Sequence, residues 1–400
     1  MLSALVLAAH DISPDVAFHV HSYYPTDDRD VVTAVPVEVH SARPLDLVLK
    51  VIPQSILHRV APSLWRGLPE GPTKRSVETL AASDVLACVA GVAFHDGRRA
   101  VLAYNVATLL PALLLGTPVV KFAQALGRFD DPVNRVVART TLRRLRAIHP
   151  RGSDSESAVR RLLGDRPAAE GPTVAKAADL AFTLTGGRSL VAPSEGVTEA
   201  LRSWVEGGEG QIVGVSPSAV LAGASPAGSE HLVMMREVVL HLLLRGNRVV
   251  VLPSAARPGR ASTHNNDLPL IDALRASLPD DERVHWAAGV RNFNDVTEVV
   301  RACDALVASR FHSMVAGLSS AVPTLVLGWG HKYAEVLELF GLDQQAMSGQ
   351  APADEVSVGN VLQAIDALLD TREQTAELLR ARLPDVIAAS RTQLRWLLPA

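Results

Sequence analysis

The sequence predicts an α/β protein built as two doubly wound lobes facing a cleft. Three observations carry that expectation. Short apolar runs at 85–90, 212–215 and 305–308 alternate with longer helical segments, the rhythm of a parallel sheet with crossover helices. At 400 residues, 48% of them hydrophobic, the chain is long enough for two cores. Gly, Ser, Glu and Pro cluster between Gly186 and Gly210, which divides an N-terminal lobe (1–200) from a C-terminal lobe (201–375), with 376–400 as a closing helix.

Taken in order, residues 1–10 read as a helix without an N-cap. Residues 15–21 alternate and read as a strand, and 35–39 as another. A helix over 43–60, interrupted near Pro53, precedes a Gly- and Pro-rich loop over 62–73. Strand 85–90 leads through a turn at 91–97 to a helix over 104–115 and a strand at 119–122. An Arg-rich amphipathic helix spans 131–148, and Ser153 caps a further helix ending at Gly164. The second lobe restarts with strand 212–215, which ends in Ser216-Pro217-Ser218. Ser229 caps a helix running to Arg245, with Gly246 past its end. Strand 249–252 and a long polar loop over 253–267 follow, and Asn294 caps the helix that delivers Cys303 to strand 305–308. Helix 311–318, strand 324–327, a helix opened by 328–333 and ended by Gly341, and helices 358–369 and 373–397 complete the chain.

Composition narrows the function. A net charge of −3 argues against a nucleic-acid binder that works through a basic face. Cys88 and Cys303 stand alone in apolar segments and read as buried thiols in a reducing cytoplasm. Residues 1–10 lack the basic region of a signal peptide. The uncharged stretch 100–120 is broken by Asn105, Pro111, Gly116 and Pro118, so it reads as a core helix and a strand start, leaving at most peripheral membrane association. Walker A, His-Glu-x-x-His, kinase and Gly-x-Ser-x-Gly motifs are absent, as is a strand followed by Gly-x-Gly-x-x-Gly.

The candidate chemistry centres on Ser309-Arg310-Phe311-His312-Ser313, where a strand passes into a helix. A guanidinium fork can take a carboxylate or phosphate, an imidazole can move a proton near neutral pH, and the helix N-terminus favours the same anion. The bland alternative is an Arg–Asp interdomain salt bridge with a packed His. One βα unit later Lys332 sits in the first turn of a helix, against the dipole, and could grip the same anion if the two strands are neighbours. In the first lobe Gln124 and Asp96 follow strands, though Asp96 could equally form a turn. His264, Asn265, Asn266 and Asp267 are polar loop residues that could reach the cleft. His19 and His21 share one side of a strand, but two such ligands without a third rarely hold a metal, and the structural reading is preferred.

Together these residues resemble the polysaccharide pyruvyl transferase family. The second-lobe marks stand as Ser309-Arg310-Phe311-His312-Ser313, Ala321-Val322-Pro323, and His331-Lys332-Tyr333 with Gly341. In the first lobe Gln124-Ala-Leu-Gly127 matches a Gln-Ser-x-Gly segment, and Arg151 with Ser155 matches an Arg-x-x-x-Ser. The match covers roughly residues 80–345 and is stronger in the second lobe. Three departures stand out. Met1-Leu2-Ser3 reads as the inside of the helix that follows the family's Gly-Asn-x-Gly turn, so the first strand of the N-terminal lobe is expected to be missing. Ala90-Gly91 replaces a Gly-Gly, and Arg128 replaces a Pro.

The resemblance implies a GT-B-like pair of Rossmann lobes that transfers a pyruvyl group from phosphoenolpyruvate to a sugar, forming a ketal in exopolysaccharide biosynthesis for the cell envelope. It implies Arg310, Lys332 and Arg151 as anion contacts, Gln124 and His331 as further substrate contacts, His312 as the acid and Asp96 as a base. The partners are then phosphoenolpyruvate as co-substrate and a glycan or lipid-linked sugar as acceptor, with no metal and no other cofactor demanded. Two alternatives stay open: a GT-B glycosyltransferase using a nucleotide sugar, for which Glu335 would hold a ribose, and a truncated, inactive glycan-binding relative.

Overall fold

Runs such as Ile-Val-Gly-Val and Arg-Val-Val-Val carry apolar side chains on both faces, which suits strands covered by helices on either side. A computed structural model places them so. It describes residues 2–31, 37–97, 99–164, 171–184, 194–223, 229–257, 259, 265–328, 331–342 and 357–397, without the side chains of 27, 30, 31, 195, 331 and 332. The chain packs as two compact units. One takes the described residues up to Leu184 and from Ile387 on, and the other those from 194 to Val386.

The second unit holds strands that are numbered here by chain order, after seven in the first: β8 (Ile212–Ser216), β9 (Arg248–Val251), β10 (Val284–Trp286), β11 (Ala305–Ala308) and β12 (Thr324–Val326). They form one parallel sheet in the order β10-β9-β8-β11-β12. Val213, Val249 and Val307 meet Met235, Val238 and Leu242 of the helix Glu230–Leu244, and Ile365 of the helix Val358–Asp370. The helix Phe311–Ser319 lies so close to the sheet that a Cβ on Gly317 would collide with Thr324 Oγ1. That contact seats the helix whose start carries Arg310.

The first unit holds β1 (Phe18–Ser22), β2 (Val37–Ser41), β3 (Leu86–Cys88), β4 (Val92–Ala93), β5 (Val119–Leu126), β6 (Ala147–Pro150) and β7 (Thr173–Val174). β3-β5-β6-β7 run side by side, with β4 on β5, and all are parallel. Every residue of β5 is buried. β1 and β2 form a separate parallel ribbon. A cleft of about 690 Å³ opens between ribbon and sheet, lined by Phe18, His19, Val20 and His21 on one side and by Leu86, Ala87 and Val89 on the other. Among the described strands β1 pairs only with β2 and β3 only with β5, so an unpaired edge of each borders this opening. The helix Leu2–Ile12 packs Ala4, Leu5 and Ala8 against Val120, Phe122 and Leu394.

Several expected elements differ. The helix predicted over 131–148 ends at Leu142, and Ala147–Pro150 is a strand. Arg143, Arg144 and Arg146 continue the amphipathic pattern, but Ala147 and Ile148 are needed in the sheet beside β5. The cap at 294 is instead Asn292, which shares a capping box with Asp295. Short helices Pro62–Arg66 and Pro72–Ala82 occupy the expected loop and its flank, each with Pro in its first turn. Within 186–210 the helix Glu195–Glu206 forms. The stretch around 100–120 is the helix Arg99–Leu115 followed by β5, and no helix among the described residues is long and apolar enough to cross a membrane.

Candidate active site

In the second unit β8 comes first in the chain and β11 fourth, yet they are neighbours, so connections leave this pair in opposite directions. The carboxyl ends of such a pair are where an open α/β sheet forms a ligand crevice. Arg310 lies there, in extended conformation as the residue before the helix Phe311–Ser319. Its Nε donates to both oxygens of Asp267, at 2.9 and 3.1 Å, and its Nη1 to Asn265 Oδ1 at 3.2 Å.

Asp267 is an anchor rather than a loop-tip polar residue. Its buried carboxylate also accepts the backbone N–H groups of Ala219 (2.9 Å), Ser254 (3.2 Å) and Ala255 (2.9 Å). One carboxylate thereby ties the segments after β8, β9 and β11. The guanidinium is held in one orientation with 12% of the side chain exposed. A guanidinium has five N–H groups, so these bonds leave donors on both terminal nitrogens for an anion. The Arg–Asp bond named as the bland alternative is present, but inside one unit, where it aims the Arg.

His231 completes this surrounding. Its Nε2 accepts the Ser218 N–H at 3.1 Å, which assigns the proton of the neutral ring to Nδ1. Burial first, and then the Arg310 charge, push its pKa down to about 4. Below the strand ends the Ser216 and Ser313 hydroxyls are 2.7 Å apart, and the Tyr333 hydroxyl donates to the Ser309 carbonyl at 3.4 Å. His312 is exposed in the first helical turn, its ring edge-on to Phe293 and Phe311. β12 adjoins β11, so the helix His331–Glu338 starts one strand away from Arg310. The side chains of His331 and Lys332 lie outside the described set.

In the first unit Asp96, Gln124 and Arg151 stand at or just past the carboxyl ends of β4, β5 and β6. Gln124 is buried, donates from Nε2 to the Cys88 carbonyl at 2.7 Å and accepts from Lys121 Nζ at 2.8 Å. Lys121 is 1% exposed, 3.4 Å from Cys88 Sγ and over the Phe94 ring. Burial pushes the Cys88 thiol up, but the Lys121 charge and hydrogen bonds from Gln124 and the Ala90 backbone outweigh it, and the thiol sits below its ordinary value. Cys88, expected as a buried thiol, is half-buried beside this lysine.

Arg151 is also 1% exposed, and its Nη1 donates to Asp179 at 2.9 Å. Here the expected anion contact is a core ion pair, because Asp179 is buried beside it. Asp96 accepts the Asp130 N–H at 2.9 Å and Asn134 Nδ2 at 2.6 Å, which is the work of a turn residue. Glu335, the ribose candidate of the nucleotide-sugar alternative, is buried at 3% exposure.

His231 and Lys121 were not among the expected residues, Ser313 was named only as the end of the Ser309–Ser313 junction, and Asp267 only as loop. Lys121 had a visible signal, a lone charge inside the apolar run Val119-Val-Lys-Phe-Ala. The others depend on contacts between distant segments.

A family model described as polysaccharide pyruvyl transferase matches residues 2–331. Among solved structures the chain is similar to a putative UDP-N-acetylglucosamine 2-epimerase from Listeria monocytogenes, with TM-score 0.61 and 12% identity over 97% of this chain and 89% of that one. The Medicago truncatula protein UGT71G1, complexed with UDP-glucose, gives a TM-score of 0.54 at 11% identity, covering 98% and 95%. UDP-GlcNAc 2-epimerase from Neisseria meningitidis, bound to UDP-GlcNAc, gives 0.51 at 9% identity, covering 94% and 96%. At such identities the likeness concerns the fold: two Rossmann-like lobes in a GT-B-like chain.

Proposed function

The chain belongs to the polysaccharide pyruvyl transferase family, a family of transferases, and from that premise we propose that it transfers a pyruvyl group from phosphoenolpyruvate to a sugar of a cell-envelope polysaccharide or its precursor. The observation that carries the proposal is Arg310, aimed by Asp267 at the switch point of a parallel sheet. Phosphoenolpyruvate carries two anionic groups, a carboxylate and a phosphate, and an oriented guanidinium at a helix start suits either one.

A proton adds to the methylene carbon, and one sugar hydroxyl adds to the adjacent carbon as it loses its own proton. A second hydroxyl then forms the other C–O bond, the C–O bond to phosphate breaks, and phosphate leaves with the remaining proton shared with solvent. Exposed His312 beside Arg310 is the assigned acid, and Arg310 takes an anionic group of the donor. Lys332, at the start of the next helix, is the second cation of this scheme. Both Asp96 oxygens are engaged in the turn, so the base for the sugar hydroxyl is left unassigned.

The test is incubation of the protein with phosphoenolpyruvate, labelled in its pyruvyl carbons, and candidate lipid-linked glycans. Label in an acid-labile ketal, with one phosphate released per ketal, is the expected result. Transfer that needs a nucleotide sugar and releases no phosphate from phosphoenolpyruvate would replace the proposal with a glycosyltransferase.

A further inference from the structure

We propose that the β1–β2 ribbon carries a site for a divalent transition metal of the zinc type, held by His19, Glu38 and His40. The ligand that His19 lacks within its own strand comes from the strand beside it. Parallel pairing sets His19 opposite Glu38 and His21 opposite His40, so all four side chains project from one face of the ribbon. One ligand atom from each of His19, Glu38 and His40 lies within 4.8 Å of the other two. His19 Nδ1 is 3.5 Å from Glu38 Oε2, and His40 Nε2 is 4.0 Å from the same oxygen. A tetrahedral zinc with ligands at about 2.0–2.1 Å has ligand-to-ligand edges of about 3.4 Å. Small side-chain rotations therefore close the set around an ion.

The surroundings orient these ligands. Arg75 Nε donates to Glu38 Oε1 at 2.6 Å, which fixes the carboxylate and leaves Oε2 toward the imidazoles. The His40 ring stacks on His21 at 5.0 Å, and Thr79 Oγ1 stands 3.3 Å from His40 Nε2 while donating to the Ser76 carbonyl. The Thr79 hydroxyl thus accepts from a protonated Nε2, and metal would take that proton's place. His40 is buried and His19 exposed, which gives an ion a path from solvent. Two imidazoles and one carboxylate suit zinc and its transition-metal neighbours better than magnesium or calcium. Three protein ligands leave a fourth position for water. Arg75 also sets a cost, since its charge next to Glu38 opposes cation binding.

The site has a physical role. A two-stranded ribbon is marginal by itself, and among the described strands β1 and β2 pair only with each other. An ion bound by both strands would clamp them, so metal should raise the melting temperature. This inference stands independently of the pyruvyl-transfer proposal.

The full chain, stripped with chelator, should be titrated with zinc against a chromophoric competitor. One zinc per chain is expected, with affinity weakened about tenfold or more in Glu38→Gln and in His40→Ala, but unchanged in the control His241→Asn. Zinc should raise the melting temperature of the wild type, and cobalt(II) should give the visible absorption of a tetrahedral site. Circular dichroism checks that each variant folds. If His40→Ala does not fold, Glu38→Gln and the wild-type cobalt spectrum decide. No stoichiometric zinc in the wild type, no tetrahedral cobalt spectrum, or equal affinity in Glu38→Gln, overturns the proposal and leaves an ordinary ion-pair cluster.

Discussion

Two arginines follow parallel strands in this chain, and each bonds an aspartate. Arg151 after β6 pairs with Asp179 where both are almost wholly buried. Arg310 after β11 pairs with Asp267, but 12% of its side chain reaches solvent at a sheet's switch point. In the first pair the carboxylate uses the guanidinium as a core counter-ion. In the second the carboxylate is satisfied by three backbone N–H groups as well, so it can hold the Arg without consuming it. The lesson is that the same Arg–Asp bond encloses one guanidinium in the core and leaves the other reachable from solvent.

The comparison can be broken by substitution. Arg151→Ala should have the largest effect, about 3–5 kcal/mol of lost stability, because it strands a buried carboxylate. Urea unfolding measures it, and a loss below that of Arg310→Ala would remove the contrast. His312→Ala should leave stability unchanged, since the side chain is exposed, and lower kcat by about a hundredfold, or ~2.7 kcal/mol. Steady-state phosphate release reads that. Arg310→Ala should raise KM for phosphoenolpyruvate by about tenfold or more, with Arg310→Lys a poor rescue because an ammonium cannot serve Asp267 and a ligand in one plane. A KM equal to that of the wild type in Arg310→Ala would take it out of the site.

A further effect concerns pH. The folded pKa of His231 is about 4, below the ordinary 6.5, so between these values the unfolded chain binds more protons there. Stability therefore rises with pH across that window and is lost as pH falls from about 6.5 toward 4. His231→Gln should flatten the slope of unfolding free energy against pH in that range. An unchanged slope would mean that His231 titrates normally.

Much of this was legible in the residues. The apolar runs of β8, β9, β11 and β12 announce themselves because a strand buried on both faces needs no alternation. The Ser309–Ser313 junction was visible for the same local reason. β6 was not, because Arg143, Arg144 and Arg146 extend a helical period across residues that the sheet claims. Gln124 was singled out as a substrate contact, but the structure buries it against Lys121 and Cys88, a connection the sequence hides because Cys88 arrives from the neighbouring strand β3. His19 looked short of a third ligand because register between strands cannot be counted along one of them.

By itself the sequence determined the α/β class, the strands β8, β9, β11 and β12 and the polar residues at the end of β11, since hydrophobic period and turn chemistry are local. Only the tertiary structure decided which such polar residues open onto a crevice and which are enclosed in the core. Asp267 lies 43 residues from Arg310, and Asp179 lies 28 from Arg151. Strand order helps to set whether such a pair meets at an open crevice or within the core, and strand order is a property of the whole sheet.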